Sequence, residues 1–232
     1  VRTARELRRG AADAAASGAV SARSSRLRRA AHMFGHLPRV PLLIEHQLTG
    51  ANYRLLYLDG VLIDALRRDS PSVTGDGRLS IDALIDNLND DRLDIAAHTA
   101  LPLVTRDLEL HRTLAAQGLT VDSIPPAGVP VRLKTVVNQN SLRDNWPTRD
   151  ELCESVIEDG ARAAAVLGAR FVGVDVITTD PGVPLRESGG CILEINVPPG
   201  MAIHYHGHPG MAEPATLLLQ HLSETREPEH TL

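Results

Sequence analysis

Two short apolar runs near the carboxyl end of the sequence each carry an acidic residue where a protein would normally bury apolar side chains. The first run is FVGVDVITT, with Asp175 at its centre, and the second is CILEIN, with Glu194 and Asn196. Both runs are typical of buried strands, and the Asp-Pro-Gly segment over 180–182 predicts a turn after the first. An ionised carboxylate in such a strand is costly unless a cation or strong donors compensate it. The fold must therefore supply a compensating group beside these strands.

The compensating group could be a metal ion. Glu194 and Asn196 are two residues apart, so their side chains project from the same face of a strand. If the two runs pair as a hairpin, that face also holds Asp175. Two carboxylates and an amide oxygen are hard ligands that suit Mg²⁺, which keeps places for water and phosphate. The alternative is that the carboxylates pair with arginines and hold the sheet together, and both interpretations stay open.

The rest of the pattern alternates hairpins and helices without a regular βαβ repeat, which predicts an α+β fold rather than a Rossmann fold. Asp59-Gly60 between two apolar runs predicts a β-hairpin. Ser80 is a candidate helix cap, and Thr148 with Glu151 forms the pattern of a capping box. Helices are predicted over 2–16, 21–34, 80–88, 107–116, 148–168 and 211–223, and further strands from Val40 and over 129–137.

Composition excludes several classes of function. The 232 residues are 43% hydrophobic and carry a formal net charge of -5, which suits a globular protein and gives no global field for nucleic acid or an anionic membrane. No apolar run approaches the roughly 20 residues of a spanning helix, and the Arg-rich start lacks the apolar segment of a signal peptide, so we expect a cytoplasmic protein. Cys153 and Cys191 lack CxxC spacing and predict neither a disulfide framework nor a zinc knuckle. Assembly into a homo-oligomer stays open.

The segment GVDVI followed by EINVPPGMAIH resembles the pattern of the cyanophycin synthetases and related ATP-grasp ligases. The resemblance implies that Asp175, Glu194 and Asn196 bind two magnesium ions, with Mn²⁺ as a substitute. It also implies that His204, after the Pro-Gly turn, faces the substrate. A zinc site made by the alternating histidines at 204, 206 and 208 is the weaker interpretation, because histidines in a Gly- and Pro-rich loop are more often solvated or substrate-facing.

Two upstream blocks follow the order of the same family. The segment LIEHQLTGANYRLLYLDG resembles the family's hinge strand and glycine turn, which implies that Glu45 binds the adenosine. Arg54 falls on the arginine of the family's Gly-x-x-Tyr-Arg pattern. Arg68 matches an arginine that precedes a Gly-Asp-Gly segment, found here as Gly75, Asp76 and Gly77, which the resemblance implies bind substrate.

A later block, QGLTVDSIPPAGVPVRLKTVVN, contains the only lysine of the chain. Lys134 takes a position usually held by arginine in the family, and Asn138 follows four residues on as a further nucleotide ligand. The blocks run from about Leu42 to Gly210, about three quarters of the chain. One departure is NQNSLRDNWPTRD, where the family's paired glycines are absent and where Trp146 either reshapes the substrate entrance or simply packs.

The resemblance implies an ATP-grasp fold, mainly its C-terminal lobe, with the N-terminal lobe largely missing. Residues 1–39 are then a helical remnant of the N-terminal lobe, 40–225 the C-terminal lobe with the Mg-ATP and substrate site, and 226–232 a tail. The nine arginines before Val40 are interpreted as solvated helix surface, with a phosphate-attracting face as the alternative. We expect this chain alone to bind ATP weakly.

The implied activity is an ATP- and Mg²⁺-dependent carboxylate–amine ligase. ATP phosphorylates a carboxylate, and an amine of an amino acid or peptide attacks the acyl-phosphate to give an amide, ADP and phosphate. Phosphoryl transfer needs positioning and charge neutralisation, so Arg54, Arg68 and Lys134 are candidate phosphate contacts, each with a surface or ion-pair role as its alternative. A noncatalytic module that binds nucleotide or a partner protein is the second hypothesis.

Overall fold

The computed structural model describes residues 46, 48–95, 102–205 and 213–224. Several predictions of the sequence fall outside the described residues. They are the helices over 2–16 and 21–34, the strand from Val40, the adenosine contact Glu45, the histidines His206 and His208, and the start of the last helix at Met211.

In the described ranges of the chain, seven strands form two antiparallel sheets. The strands are β1 (Ala51–Leu58), β2 (Val61–Arg68), β3 (Ser72–Thr74), β4 (Pro130–Arg132), β5 (Asn145–Pro147), β6 (Phe171–Thr178) and β7 (Cys191–Asn196). The larger sheet has the order β5-β2-β1-β6-β7, and the smaller sheet pairs β3 with β4. The two strands with acidic centres, β6 and β7, are therefore neighbours, as the sequence predicted.

Five α-helices accompany the sheets in the described part of the chain. They are α1 (Ile81–Ile95), α2 (Leu108–Ala116), α3 (Glu154–Val166), the single turn α4 (Leu185–Ser188) and α5 (Pro214–Glu224). Short 3₁₀ turns cover Leu142–Asp144, Arg149–Glu151 and Ala202–His204. No described helix is long and apolar enough to cross a membrane. Helices and antiparallel strands occur in separate stretches, which confirms the predicted α+β class.

The hairpin at Asp59-Gly60 is confirmed. Both turn residues have positive φ angles, 47° and 80°, as the tight hairpin turn that matches strand twist requires. The turn joins β1 to β2, and β1 then pairs with β6 on its other side. The hairpin thus places β1 at the centre of the larger sheet.

One face of the larger sheet forms the main hydrophobic core. Successive side chains of a strand point to opposite faces, and every second residue of the central strands is apolar and buried. These residues are Tyr53, Leu55 and Tyr57 of β1 and Val172, Val174 and Val176 of β6, packed against Val156 and Ala164 of α3. The residues between them, including Arg54 and Asp175, must face the opposite side of the sheet.

A β-bulge in β7 changes which of its side chains point to the core face of the sheet and which point to the opposite face. Asp175 pairs with Glu194, but the next residue of β6, Val176, pairs with Ile192, so Leu193 is an extra residue. The extra residue allows both Ile192 and Ile195 to pack against the core. It also leaves Glu194 on the opposite face, beside Asp175.

A second hydrophobic core lies under the smaller sheet. Val73 of β3 and Val131 of β4 pack with Ile81 and Ile85 of α1 and with Leu110 of α2. The segment from β3 to β4 therefore has a core of its own. It stands beside the larger sheet rather than extending it.

Two predicted helix boundaries are wrong. The helix that Ser80 caps continues to Ile95 rather than ending near Leu88. The polar Asn-Asp-Asp segment after Leu88 does not end the helix, because the buried Arg92 follows it. Nη1 of Arg92 donates to the carbonyls of Pro102 and Gln139. The Thr148 hydroxyl does bond to Glu151, at 2.9 Å, but the pair opens a 3₁₀ turn. The α-helix begins only at Glu154.

The predicted strand over 129–137 is also shorter than expected, since only Pro130–Arg132 pairs with β3. The backbone N–H groups of Thr135 and Val136 bond instead to the side chain of Glu109, at 2.9 and 3.1 Å. Because these donors are satisfied by a carboxylate of α2, the segment needs no strand partner. The apolar pattern alone could not show that the Glu109 side chain would take the place of a strand partner.

The contact between α3 and β1 leads to a stability prediction. A Cβ added at Gly160 would lie 2.8 Å from Cζ of Tyr57, whose hydroxyl donates to the carbonyl of Ile157 at 2.9 Å. We expect Gly160→Ala to lower the free energy of unfolding by about 1–3 kcal/mol, since overpacking outweighs the better helix propensity of alanine. Urea unfolding curves measure the difference. Gly200→Ala is the control, because its Cβ meets nothing within 4 Å, and equal effects of the two changes would contradict the packing argument.

Candidate functional site

Five polar side chains converge on the face of the larger sheet opposite the main core. Arg54 of β1 lies opposite Asp175 of β6, and Asp175 lies opposite Glu194 of β7. Opposed residues of an antiparallel pair share a face, so these side chains project together. Arg68 and Asn196 join them on the same face, opposite Asn52 and Gly173 respectively. We call Arg54, Arg68, Asp175, Glu194 and Asn196 the polar cluster.

An ion pair joins the two central strands within the polar cluster. The Nε of Arg54 donates to Oδ1 of Asp175, and Nη2 donates to Oδ2 at 2.9 Å, which makes the pair bidentate. The Arg54 side chain is only 9% exposed and that of Asp175 is 17% exposed. The ion-pair alternative raised by the sequence is therefore realised at Asp175.

Glu194 differs from Asp175 in both exposure and partners. Its side chain is exposed, and no arginine or lysine nitrogen of the described residues lies within 4.0 Å of its carboxylate. With its amide oriented to satisfy its neighbours, Asn196 donates to Oε1 of Glu194 at 2.8 Å and accepts from Nη2 of Arg54 at 3.3 Å. Glu194 thus keeps free acceptor capacity toward solvent.

Arg68 contributes a guanidinium that is incompletely compensated. Its Nη1 lies 3.9 Å from Oδ2 of Asp175, and its side chain is 13% exposed. Its buried Nε has no hydrogen-bond partner in the described part of the chain. Burial and then the neighbouring Arg54 lower the pKa of Arg68 from its ordinary value, while Asp175 and Glu194 act in the opposite direction. The described residues therefore balance the charge of this arginine only in part.

The predicted magnesium ligands lie together in the polar cluster. Among the residues that the structure describes, no three His, Cys, Asp or Glu side chains are grouped so that they could hold a metal ion. The candidate set is two carboxylates, Asp175 and Glu194, and the amide oxygen of Asn196, whose amide would have to turn from Arg54 toward the ion to act as a ligand. This hard donor set suits an Mg²⁺ ion that also keeps water and phosphate ligands. Each carboxylate oxygen has two lone pairs, so Asp175 can serve Arg54 and still offer a ligand atom.

His204 is buried rather than open to a substrate. Its Nδ1 lies 2.5 Å from Oδ2 of Asp64, and neither side chain is appreciably exposed. Its Nε2 is buried without a hydrogen-bond partner among the described residues. The geometry therefore favours a structural role, in which His204 ties the loop after β7 to the site face of β2. The substrate contact inferred from the resemblance stays a prediction.

Lys134 is also in an ion pair. Its ammonium has no exposed surface and lies 2.5 Å from Oδ1 of Asp107, the residue that caps α2. Burial alone would raise the pKa of Asp107, but hydrogen bonds from Lys134, Thr105 and the N–H of Leu110 hold it at about 2. The geometry favours the ion-pair alternative over the predicted phosphate contact, because a fully buried ammonium cannot reach a ligand without rearrangement.

The predicted Gly-Asp-Gly substrate segment forms a self-contained turn. Oδ1 of Asp76 accepts the backbone N–H groups of Arg78 and Leu79, both at 2.8 Å, and Gly77 has a φ of +73°. A Cβ at Gly75 would overlap the backbone of the loop at 125–126. The geometry of the turn by itself explains why glycine, aspartate and glycine occupy these three positions. Substrate binding by this segment stays a prediction.

Two further sequence candidates are exposed. Asn138 lies in the turn that follows the bend after β4, and its side chain is open to solvent. Trp146 of the short edge strand β5 is 41% exposed. Trp146 is opposite Arg67 in the β2–β5 ladder, so it points to the face opposite the polar cluster. A direct role in the entrance to the polar cluster is therefore not supported for Trp146.

A cavity of about 860 Å³ opens between the larger sheet and the segment that contains the smaller sheet. Asn52 and Arg68 line it from the larger sheet, and Arg132 of β4 lines it from the smaller one. Gln117, at the carboxyl end of α2, lies between them on the cavity wall. Because Arg68 belongs to both the polar cluster and the cavity, the two are continuous.

Sequence reasoning missed Asp64, Asn52 and Arg132. Asp64 lies mid-strand in the apolar run VLIDAL, which is the same signal that identified Asp175, so it could have been found. Asn52 and Arg132 carry no local signal, since single polar residues are common at the ends of strands. Only the packing of the two sheets brings them to one cavity.

Comparison with known proteins supports the resemblance. Over 165 residues the chain is 32% identical to the cyanophycin synthetase of Synechocystis sp.. The aligned region covers 70% of this chain and 19% of that protein. It is 33% identical over 180 residues to the glutathione biosynthesis bifunctional protein of Enterococcus faecalis, covering 76% of this chain and 24% of that protein. The chain thus spans about a fifth of the length of such relatives. No family model matches the sequence.

A solved structure has the same fold. The bifunctional glutathione synthetase from Pasteurella multocida matches 77% of this chain and 24% of its own, with a TM-score of 0.59 and 25% identity. The chain therefore belongs to the ATP-grasp ligase family and covers part of its ATP-grasp domain. Within that family it is similar to the cyanophycin synthetases, as its motifs predicted.

The role of Lys134 can be decided by its effect on Asp107. The pKa of Asp107 is lowered from 3.8 to about 2, so the contribution of this carboxylate to stability is full above about pH 4 and is lost as the pH falls toward 2. We expect Lys134→Met to remove about 1 kcal/mol of this pH-dependent part, a value discounted because the Asp107 side chain is 45% exposed. Unfolding curves between pH 2 and pH 6 measure it.

Asp107→Asn is the matched control, because it keeps a capping oxygen but cannot titrate. The double variant should show no further loss of pH dependence. If Lys134→Met instead weakens ATP binding in the full-length protein and leaves the pH profile unchanged, the phosphate contact predicted from the sequence is the correct role.

Proposed function

We propose that the chain is the magnesium- and ATP-binding part of a carboxylate–amine ligase that forms an amide bond through an acyl-phosphate. The observation that carries the proposal is the polar cluster, in which two guanidiniums, two carboxylates and an amide meet on one face of the sheet. The relatives' names and the fold support the ligase class. In domain terms, residues 40–225 are proposed as the C-terminal lobe that holds Mg-ATP and substrate.

Charge explains how the polar cluster suits this chemistry. The two positive charges of Arg54 and Arg68 balance the two negative charges of Asp175 and Glu194, so the polar cluster is formally neutral. A bound divalent cation would give the cluster a net positive charge, and phosphate groups would restore neutrality. The cluster is therefore matched to a metal–phosphate complex rather than to a metal ion alone.

Each residue of the cluster has a distinct proposed task. Glu194, Asn196 and the second lone pairs of Asp175 would hold Mg²⁺, which supplies charge neutralisation at the transferred phosphoryl group. Two ions, with Mn²⁺ as a substitute, remain part of the proposal on the strength of the resemblance. Arg68 offers the N–H groups at the end of its guanidinium to phosphate or acyl-phosphate oxygens. Arg54 holds Asp175 in place and offers positive charge beside it.

A second candidate function rests on the Arg54–Asp175 pair itself. Both oxygens of Asp175 already accept hydrogen bonds, which is what a purely structural ion pair would show. On that interpretation the chain is a noncatalytic nucleotide-binding or partner-binding module. The two candidates differ in what Glu194 does, because Asn196 is the only partner that Glu194 has among the described residues.

Glu194→Gln is therefore the decisive variant for metal binding. We expect it to change the melting temperature of the apo protein little, since an exposed carboxylate without a cationic partner contributes within about 0.5 kcal/mol. We expect it to abolish most of the stabilisation by Mg-ATP, which reports ligand affinity directly. Thermal melts of the full-length protein with and without Mg-ATP measure both quantities. Glu187→Gln, an exposed charge on α4 paired only with the exposed Arg186, is the control.

Asp175→Asn should behave differently from Glu194→Gln. It leaves the nearly buried Arg54 without its counter-charge, so we expect a loss of about 3–5 kcal/mol in apo stability. If Glu194→Gln leaves the Mg-ATP shift intact, the proposed metal site is wrong and the noncatalytic module is favoured.

For the ligase activity itself, the full-length protein should form an amide and release ADP with at least one pair in a screen of carboxylic acids and amino acids.

A further inference from the structure

The cavity beside the polar cluster has an unusual balance of charge. Two of its lining residues are arginines, Arg68 from the larger sheet and Arg132 from the smaller sheet. Its one acidic lining residue, Asp69, already accepts two hydrogen bonds from Arg67, at 3.1 and 3.3 Å. The other polar lining groups, such as Asn52 and Gln117, are neutral. The described residues that line the cavity therefore supply positive charge on two walls and no uncommitted negative charge.

Neither arginine has its charge matched by the residues that the structure describes. Arg68 has only the 3.9 Å approach to Asp175, which Arg54 already binds through both oxygens. Arg132 makes no ion pair in the described part of the chain. An unpaired guanidinium at the wall of a pocket is the group that proteins use to recognise carboxylate or phosphate by two parallel hydrogen bonds.

The backbone of Arg132 is held in position by a side chain of the same cavity. The amide of Gln117 accepts from the N–H of Arg132 at 3.2 Å and donates to its carbonyl at 2.8 Å. A further Gln117 bond to the carbonyl of Thr113, at 2.9 Å, fixes the amide to α2. This double contact orders the strand that carries the guanidinium, so less conformational entropy is lost when a ligand binds.

We infer that this cavity binds the acid substrate of the proposed ligase, that this substrate carries a second anionic group, and that Arg132 is the residue that selects for it. The reacting carboxylate lies toward Arg68 and the polar cluster, and the second carboxylate lies toward Arg132. The volume, about 860 Å³, is sufficient for an amino-acid or short peptide ligand. The inference rests on the proposed function, because only the ligase reaction identifies the carboxylate beside Arg68 as the one that reacts.

A matched pair of probes tests the second anionic group. N-acetylglutamate and N-acetylglutamine have nearly the same shape, but the first has two carboxylates and the second has one. We expect the full-length protein to bind N-acetylglutamate about tenfold more tightly in calorimetry without ATP, and Arg132→Gln to bring the two affinities together. Arg78→Gln, an exposed arginine outside the cavity lining, should preserve the difference.

The outcomes separate this inference from the proposed function. Equal binding of the two probes by the unmodified protein, including no detectable binding of either, overturns the selection by Arg132. A loss of ATP affinity in Arg132→Gln, with the probe difference retained, shows that the cavity holds nucleotide phosphates instead and also overturns it. The Mg-ATP shift that Glu194 controls is measured separately, so its failure would count against the ligase and not against the dicarboxylate cavity.

Discussion

The bidentate pair between Arg54 and Asp175 is the interaction on which the candidate site depends. It joins the two central strands of the larger sheet on the face opposite the core, and both partners are nearly buried. Gly173 makes room for it, because a Cβ there would lie 3.2 Å from Cδ of Arg54 and 3.0 Å from Cβ of Pro199. A buried ion pair adds little net stability over apolar packing, but the loss of one partner is costly. The pair therefore holds a charged site in place rather than stabilising the sheet.

Around this pair the charges are distributed unequally between buried and exposed positions. Arg54 and Asp175 neutralise each other, Glu194 is exposed at the edge strand, and Arg68 is partly buried with an unused donor. The two uncommitted groups lie on either side of the fixed pair. This arrangement keeps a carboxylate for a cation and a guanidinium for an anion within one cluster, which is the combination that a metal–phosphate ligand requires.

The same residue types have other roles where burial and partners differ. Lys134 and Asp107 form a pair whose ammonium is buried, and it joins the segment after β4 to the start of α2. His204 and Asp64 form another pair, which joins the loop after β7 to β2. Each pair fixes a loop that borders the site face or the cavity. Their contribution to the proposed activity is thus to position backbone, while the proposed ligand contacts belong to the polar cluster and the cavity arginines.

The sequence alone determined the hairpin at Asp59-Gly60, the two acidic strands and the α+β class, because these depend on local turn chemistry and on periods of two residues. It also identified Asp175, Glu194 and Asn196 as one group, since a carboxylate in an apolar strand requires a local explanation. Only the tertiary structure decided that Asp175 is paired with Arg54, that Lys134 is buried, and that Arg132 and Arg68 line one cavity. Those facts depend on contacts between residues far apart in the chain, and no local pattern records which partner a charge will meet.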